Sequence, residues 1–151
     1  MEYRSRLNLL MTQPQWRGVR PAIDWPETVS RLLKPMPVQT FLARNWAETE
    51  SLAQHHEMHV MVLDSRLTED PNVSVDFSTL LQLVERVRPT DAHGEAGPLV
   101  IVLATQWSDR LLREALRRKV FSVLPEPVDV NELLDTMAKA LRRVYGDQWP
   151  A

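Results

Sequence analysis

Asp64 and Glu126 are the residues of this 151-residue chain whose types and places suggest chemistry. Asp64 closes the apolar run Val60-Met61-Val62-Leu63, and Glu126 follows Val123-Leu124-Pro125. A carboxylate at the end of a buried strand can take a phosphoryl group, hold a cation or cap the next turn. A second cluster is His55, His56 and His59, with Glu57 among them. His55 and His59 have the i, i+4 spacing of a helical ligand pair, but His59 opens an apolar run, which breaks the helical register. No further ligand cluster accompanies them, so no metal site is expected, and the histidines read as a solvated helix end. A third group is the basic row Arg110, Arg113, Arg117, Arg118 and Lys119. Asp109 and Glu114 interrupt it, and neither a helix-turn-helix nor an aromatic platform goes with it. The row argues for a hydrated helix face, then for a protein partner, and against nucleic acid.

Composition narrows the function classes. The formal net charge of -2 gives no global field toward nucleic acid or anionic membrane. Without cysteine there is no disulfide framework, thiolate metal site or cysteine nucleophile. Met1 to Leu10 lacks the apolar core and cleavage site of a signal peptide. No apolar stretch nears the ~20 residues that span a bilayer. A soluble cytoplasmic protein with no membrane partner is the expectation.

The elements that must position Asp64 and Glu126 are legible as apolar runs: Leu7 to Met11, Val38 to Ala43, His59 to Leu63, Leu99 to Ala104, and Val120 to Leu124. The third and fourth are almost unbroken, the habit of strands covered on both faces in parallel sheets. Helical patterns lie between them. Asp24 with Glu27, Asn45 with Glu48, and Asp129 with Glu132 have capping-box spacing. A third helix fits Phe77 to Val87, with Leu80, Leu81, Val84 and Val87 on one stripe. A fourth fits Asp109 to Arg118, with Ser108 as its N-cap. Strand and helix alternate five times, which implies right-handed crossovers. The expected fold is α/β, a doubly wound five-stranded parallel sheet of flavodoxin-like order 2-1-3-4-5. Residues 1–146 make one domain in this reading, and 147–151 a short tail.

In such sheets ligands bind outside the carboxyl ends of the strands. Those ends are Thr12 and Gln13, then Asp64, then Ala104 and Thr105, then Pro125 and Glu126. Together with Glu114-Ala115-Leu116, Phe121 and Leu124-Pro125-Glu126-Pro127-Val128-Asp129, this order resembles the receiver domain of bacterial response regulators, in a degenerate, pseudo-receiver form. Asp64 matches the phospho-acceptor. The family's other positions carry different chemistry here. Thr12 and Gln13 stand where two acidic residues hold a divalent cation, and Ala104, with Thr105 next to it, stands at the hydroxyl position. Glu126 replaces the lysine that pairs with the phosphoryl group, and Val123 replaces the aromatic switch residue.

The resemblance implies a non-enzymatic, phosphorylation-independent signalling module without cofactor. It implies a protein partner or homodimer through the fourth helix, fifth strand and fifth helix, with Arg113, Arg117, Leu141, Arg142 and Tyr145 on that face. The alternative is a working phosphorelay receiver with Asp64 as acceptor and Mg2+ as its cofactor. A flavodoxin-like enzyme or nucleotide binder ranks last, because no Gly-rich phosphate loop follows the first strand. Asp64 and Glu126 are expected at neighbouring strand ends, and Trp25 and Trp46, at first helical positions, either as contact anchors or as lids over the core.

Overall fold

A computed structural model describes residues 7–12, 25–36, 38–64, 82, 84–85, 98–104, 108–118, 120–125 and 128–145, apart from the side chains of 141 and 143–145. The strands are β1 (Leu7–Thr12), β2 (Val38–Ala43), β3 (Val60–Asp64), β4 (Leu99–Ala104) and β5 (Ser122–Pro125). They form one parallel sheet in the order β2-β1-β3-β4-β5. The fold class and strand order are those expected from the alternation of apolar runs and capped helices. The third and fifth strands each begin later than the apolar runs suggest, at Val60 and Ser122, although the His59 and Phe121 N–H groups already bond to the Asn8 and Val100 carbonyls of the neighbouring strands.

The near-continuous apolar runs follow from burial on both faces. Leu10, Met61, Leu63, Val100, Val102 and Val123 point to one core with Trp46, Val84 and Ala115. Leu9, Met11, Val60, Val62, Ile101, Leu103 and Leu124 point to the other with Trp25, Val29, Leu133, Met137 and Ala140. Successive residues of a strand point to opposite faces, so only a doubly covered sheet needs every position apolar. Each fully buried leucine or isoleucine of this kind contributes about 1.5–3 kcal/mol.

The helices start where polar side chains can satisfy their first N–H groups. Asn45 caps the Trp46–His55 helix, its side-chain oxygen accepting from the Glu48 N–H at 2.8 Å. The Glu48 carboxylate reaches back to the Arg44 N–H at 3.4 Å, one residue before the usual capping-box partner. Ser108 caps the Asp109–Arg117 helix through the Leu111 N–H at 3.1 Å. Asp129 accepts from the Asn131 N–H at 2.8 Å at the start of the Val130–Tyr145 helix. The Trp25–Leu33 helix begins beside Asp24, which lies outside the described residues, as does most of the expected Phe77 to Val87 helix. Of that segment Gln82, Val84 and Glu85 are described and helical, and Val84 is fully buried. Glu85 also ties the segment to the next helix through Arg118, at 2.9 Å.

Trp25 and Trp46 are the first residues of their helices, as expected, and both are lids over the core rather than exposed anchors. Each buries its indole N–H without a hydrogen-bond partner among the described residues. Trp16, Trp107 and Trp149, and the tail 147–151, lie outside the described residues. No described helix is long and apolar enough to cross a membrane.

Candidate functional site

The carboxyl edge of the sheet gathers the ends of β1, β3 and β4 around Asp64. Its side chain is fully buried. The residue is held from β1: the Asp64 N–H donates to the Thr12 hydroxyl at 2.8 Å, and that hydroxyl donates to the Val62 carbonyl at 3.2 Å. The paired register of β1 with β3 ends at Met11 and Val62. Thr12 therefore continues the ladder with its side chain where backbone pairing stops. Thr12 is itself fully buried, so its hydroxyl has both roles engaged inside the protein.

Ala104 ends β4 and is nearly fully buried. A methyl group there offers no donor or acceptor. Val123 lies in the middle of β5, buried against the face that also holds Leu10 and Ala115. A branched aliphatic side chain in that place is stiff at its first torsion and packed on all sides, unlike an aromatic ring free to swing to the surface. Gln13, Thr105 and Glu126 lie outside the described residues.

The sheet corrects one expectation about Glu126. Asp64 pairs with Leu103 and Ala104 with Pro125, so β4 stands between the end of β3 and the end of β5. The two strand ends are not neighbours. They are two strand spacings apart, about 10 Å. The strand order 2-1-3-4-5 itself carries this separation, because β4 lies between β3 and β5.

A receiver-type cation at this edge finds a poor donor set among the described residues. Hard divalent cations take about six to eight oxygen ligands, or keep several waters on one or two carboxylates. Here the Thr12 hydroxyl is engaged with backbone on both sides and Ala104 has no side-chain oxygen, so Asp64 supplies the one carboxylate at this edge among the described residues. No group of three or more metal-ligating side chains is found among the described residues.

The histidines separate into three unrelated roles. His55 Nδ1 lies 2.7 Å from the Ser51 carbonyl one turn back in its helix. The His56 ring packs on Phe41 of β2, with centroids 4.6 Å apart. His59 Nδ1 accepts from the Asn8 N–H at 2.9 Å, and the His59 N–H donates to the Asn8 carbonyl at 3.0 Å. This exchange links the amino ends of β1 and β3. Nothing in the spacing of Asn8 and His59 announces it, because the two meet only once the sheet has formed.

On the far face, Arg113 and Arg142 are exposed, and Arg117 is exposed beside Glu114 at 3.4 Å. Leu116 is 53% exposed among them. Leu133, Met137 and Ala140 are the buried row of the last helix, while Ala138 faces solvent. The side chains of Leu141 and Tyr145 are outside the described residues.

No protein-family model matches the chain, and no curated protein matches it. Solved structures do. A two-component response regulator from Clostridium difficile superposes with a TM-score of 0.67 at 16% identity, covering 93% of this chain and 99% of that one. The receiver domain of a response regulator from Saccharomyces cerevisiae, crystallised with its histidine phosphotransfer protein, gives 0.63 at 16% identity, covering 97% of both chains. A response regulator from Burkholderia pseudomallei, solved with a phosphorylated aspartic acid, calcium and citrate, gives 0.60 at 18% identity, covering 95% of this chain and 74% of that one. At these identities the likeness establishes the fold: this chain has the flavodoxin-like architecture that receiver domains share.

Proposed function

We propose that this chain is a signal-transduction module of the receiver type that works without phosphorylation of Asp64, acting by protein–protein interaction rather than as an enzyme. The observation that supports it most is the Thr12 hydroxyl, engaged with the Asp64 N–H and the Val62 carbonyl. A receiver holds its divalent cation there with acidic residues. A threonine whose hydroxyl already donates to one backbone group and accepts from another is neutral and supplies no carboxylate charge for a cation. Aspartyl phosphate carries extra negative charge, and its formation needs cations to neutralise the transferring oxygens. The residue at the lysine position, Glu126, has the opposite sign.

The face for a partner or a second copy is the Asp109–Arg117 helix, β5 and the Val130–Tyr145 helix. It carries both signs, Arg113, Arg117 and Arg142 with Glu114, Glu132 and Asp135, so it can complement itself about a twofold axis or a partner of mixed charge. A cytoplasmic location suits this role.

A second reading keeps Asp64 as a phosphoryl acceptor with Mg2+. What favours it is the place of Asp64 at the carboxyl end of β3 in this fold. Beryllium fluoride with magnesium, followed by NMR amide shifts, tests between the two. The proposal expects unchanged shifts around Asp64, and saturable shifts there would overturn it.

A further inference from the structure

At the opposite margin of the sheet, β2 pairs with β1 alone among the described residues, so one side of its backbone points away from the sheet. Its side chains carry no charge: Val38, Gln39, Thr40, Phe41, Leu42 and Ala43. An uncharged edge strand with one side unpaired among the described residues is a template for another strand, and proteins usually blunt such edges with charge. The surroundings are apolar as well. Of the four large apolar side chains exposed among the described residues, Leu42 (40%) lies on β2, Met36 (43%) and Leu32 (52%) precede it in the chain, and Leu116 lies on the Asp109–Arg117 helix. The register places Leu42 beside Met11 and Val38 beside Leu7, so Val38, Thr40 and Leu42 share one face of the strand.

Cations outnumber acids next to this strand in the sequence, with Glu27 and Glu48 as the flanking acids. From Arg31 to Arg44 the chain holds Arg31, Lys34 and Arg44 and no acidic residue, although the whole protein has a net charge of -2. All three cations are exposed and have no ion pair among the described residues. Arg31 and Lys34 stand before the start of β2, and Arg44 just past its end. The nearest acid in the sequence after the strand, Glu48, is turned to the Arg44 backbone N–H.

We propose that the β2 edge is a docking site for an extended segment of a partner protein, with alternating apolar residues and acidic residues at both ends. Main-chain hydrogen bonds to the open side of β2 supply affinity, Val38 and Leu42 receive the apolar side chains, and the cations at the two ends select the acidic flanks. Charge decides against a second copy as the occupant. Antiparallel pairing about a twofold would set the Arg44 end of each strand beside the Lys34 end of the other, cation against cation. This surface is independent of the mixed-charge helical face at the other side of the sheet.

The test uses the full chain and a synthetic probe, Glu-Glu-Val-Thr-Val-Thr-Val-Glu-Glu, followed by fluorescence anisotropy and NMR amide shifts. The expected result is saturable binding with shifts centred on Val38 to Ala43. Arg31→Glu, Lys34→Glu and Arg44→Glu together should weaken it by about tenfold or more, since they reverse surface charges without touching the core. A probe with lysines in place of the glutamates should bind far more weakly. Absence of binding at millimolar probe overturns the proposal, as does equal affinity for the lysine probe. Shifts confined to residues away from β2 also overturn it. Concentration-dependent dimerisation that moves the β2 amides would assign the edge to a second copy instead, and so overturns it too.

Discussion

The Thr12 hydroxyl stands 2.8 Å from the backbone nitrogen of Asp64 and 3.2 Å from the Val62 carbonyl, bridging two strands at the point where their backbone ladder ends. A side chain in this position does the work of a missing backbone pair, and it fixes the residue on which any phosphoryl chemistry would depend.

Replacing Thr12 by Val keeps the shape and removes both hydrogen bonds. It leaves the buried Asp64 N–H without a partner and should destabilise the fold by about 1–3 kcal/mol. Urea unfolding should show a lower midpoint with an unchanged slope. Thr12→Ser, which retains the hydroxyl, should lose less than the Val variant. Equal midpoints for wild type and Thr12→Val would mean that the bridge carries no net stability.

Trp46 buries its ring in one core, and its indole N–H has no partner among the described residues. Trp46→Phe removes the unpaired donor while giving up part of the ring, two effects of opposite sign. The net change should stay within about 1 kcal/mol, against about 3–5 kcal/mol for Trp46→Ala. A Phe variant as unstable as the Ala variant would show that the indole N–H is paired in solution.

The end of β4 separates Asp64 from the strand that leads to Glu126. At the spacing of the two strand ends, about 10 Å, and an effective dielectric near 20, two like charges repel by about 1.7 kcal/mol before salt screening. Glu126→Gln should therefore stabilise by at most about 1.7 kcal/mol in urea, and Glu126→Lys, which turns the repulsion into attraction, by at most about twice that. Equal or lower midpoints in both variants would remove any repulsion between the two carboxylates. A gain well beyond those bounds would place them in direct contact.

Much of this fold was legible because double burial leaves a plain signature. Val60 to Leu63 and Leu99 to Leu103 are apolar at every position, and Asn45 and Ser108 mark helix starts that the structure confirms by their caps. The place of Asp64 at a strand's carboxyl end was legible for the same reason. What surrounds it was less so. Thr12 could be placed near Asp64 from strand order, but its hydrogen bonds depend on where the β1–β3 register stops, which no local pattern encodes. The Asn8–His59 exchange and the Glu85–Arg118 pair join residues distant in the chain, or in separate helices, and carry no spacing signal. Trp25 and Trp46 sit at helix starts, where exposure is common. Their burial comes from tertiary packing alone.

The measurement that bears most directly on the proposed function is intact mass after incubation with acetyl phosphate and magnesium, run beside Asp64→Asn. A module that works without phosphorylation should show no phosphoryl adduct in either protein. A stoichiometric gain of one phosphoryl group in the wild type, abolished in Asp64→Asn, would contradict the account.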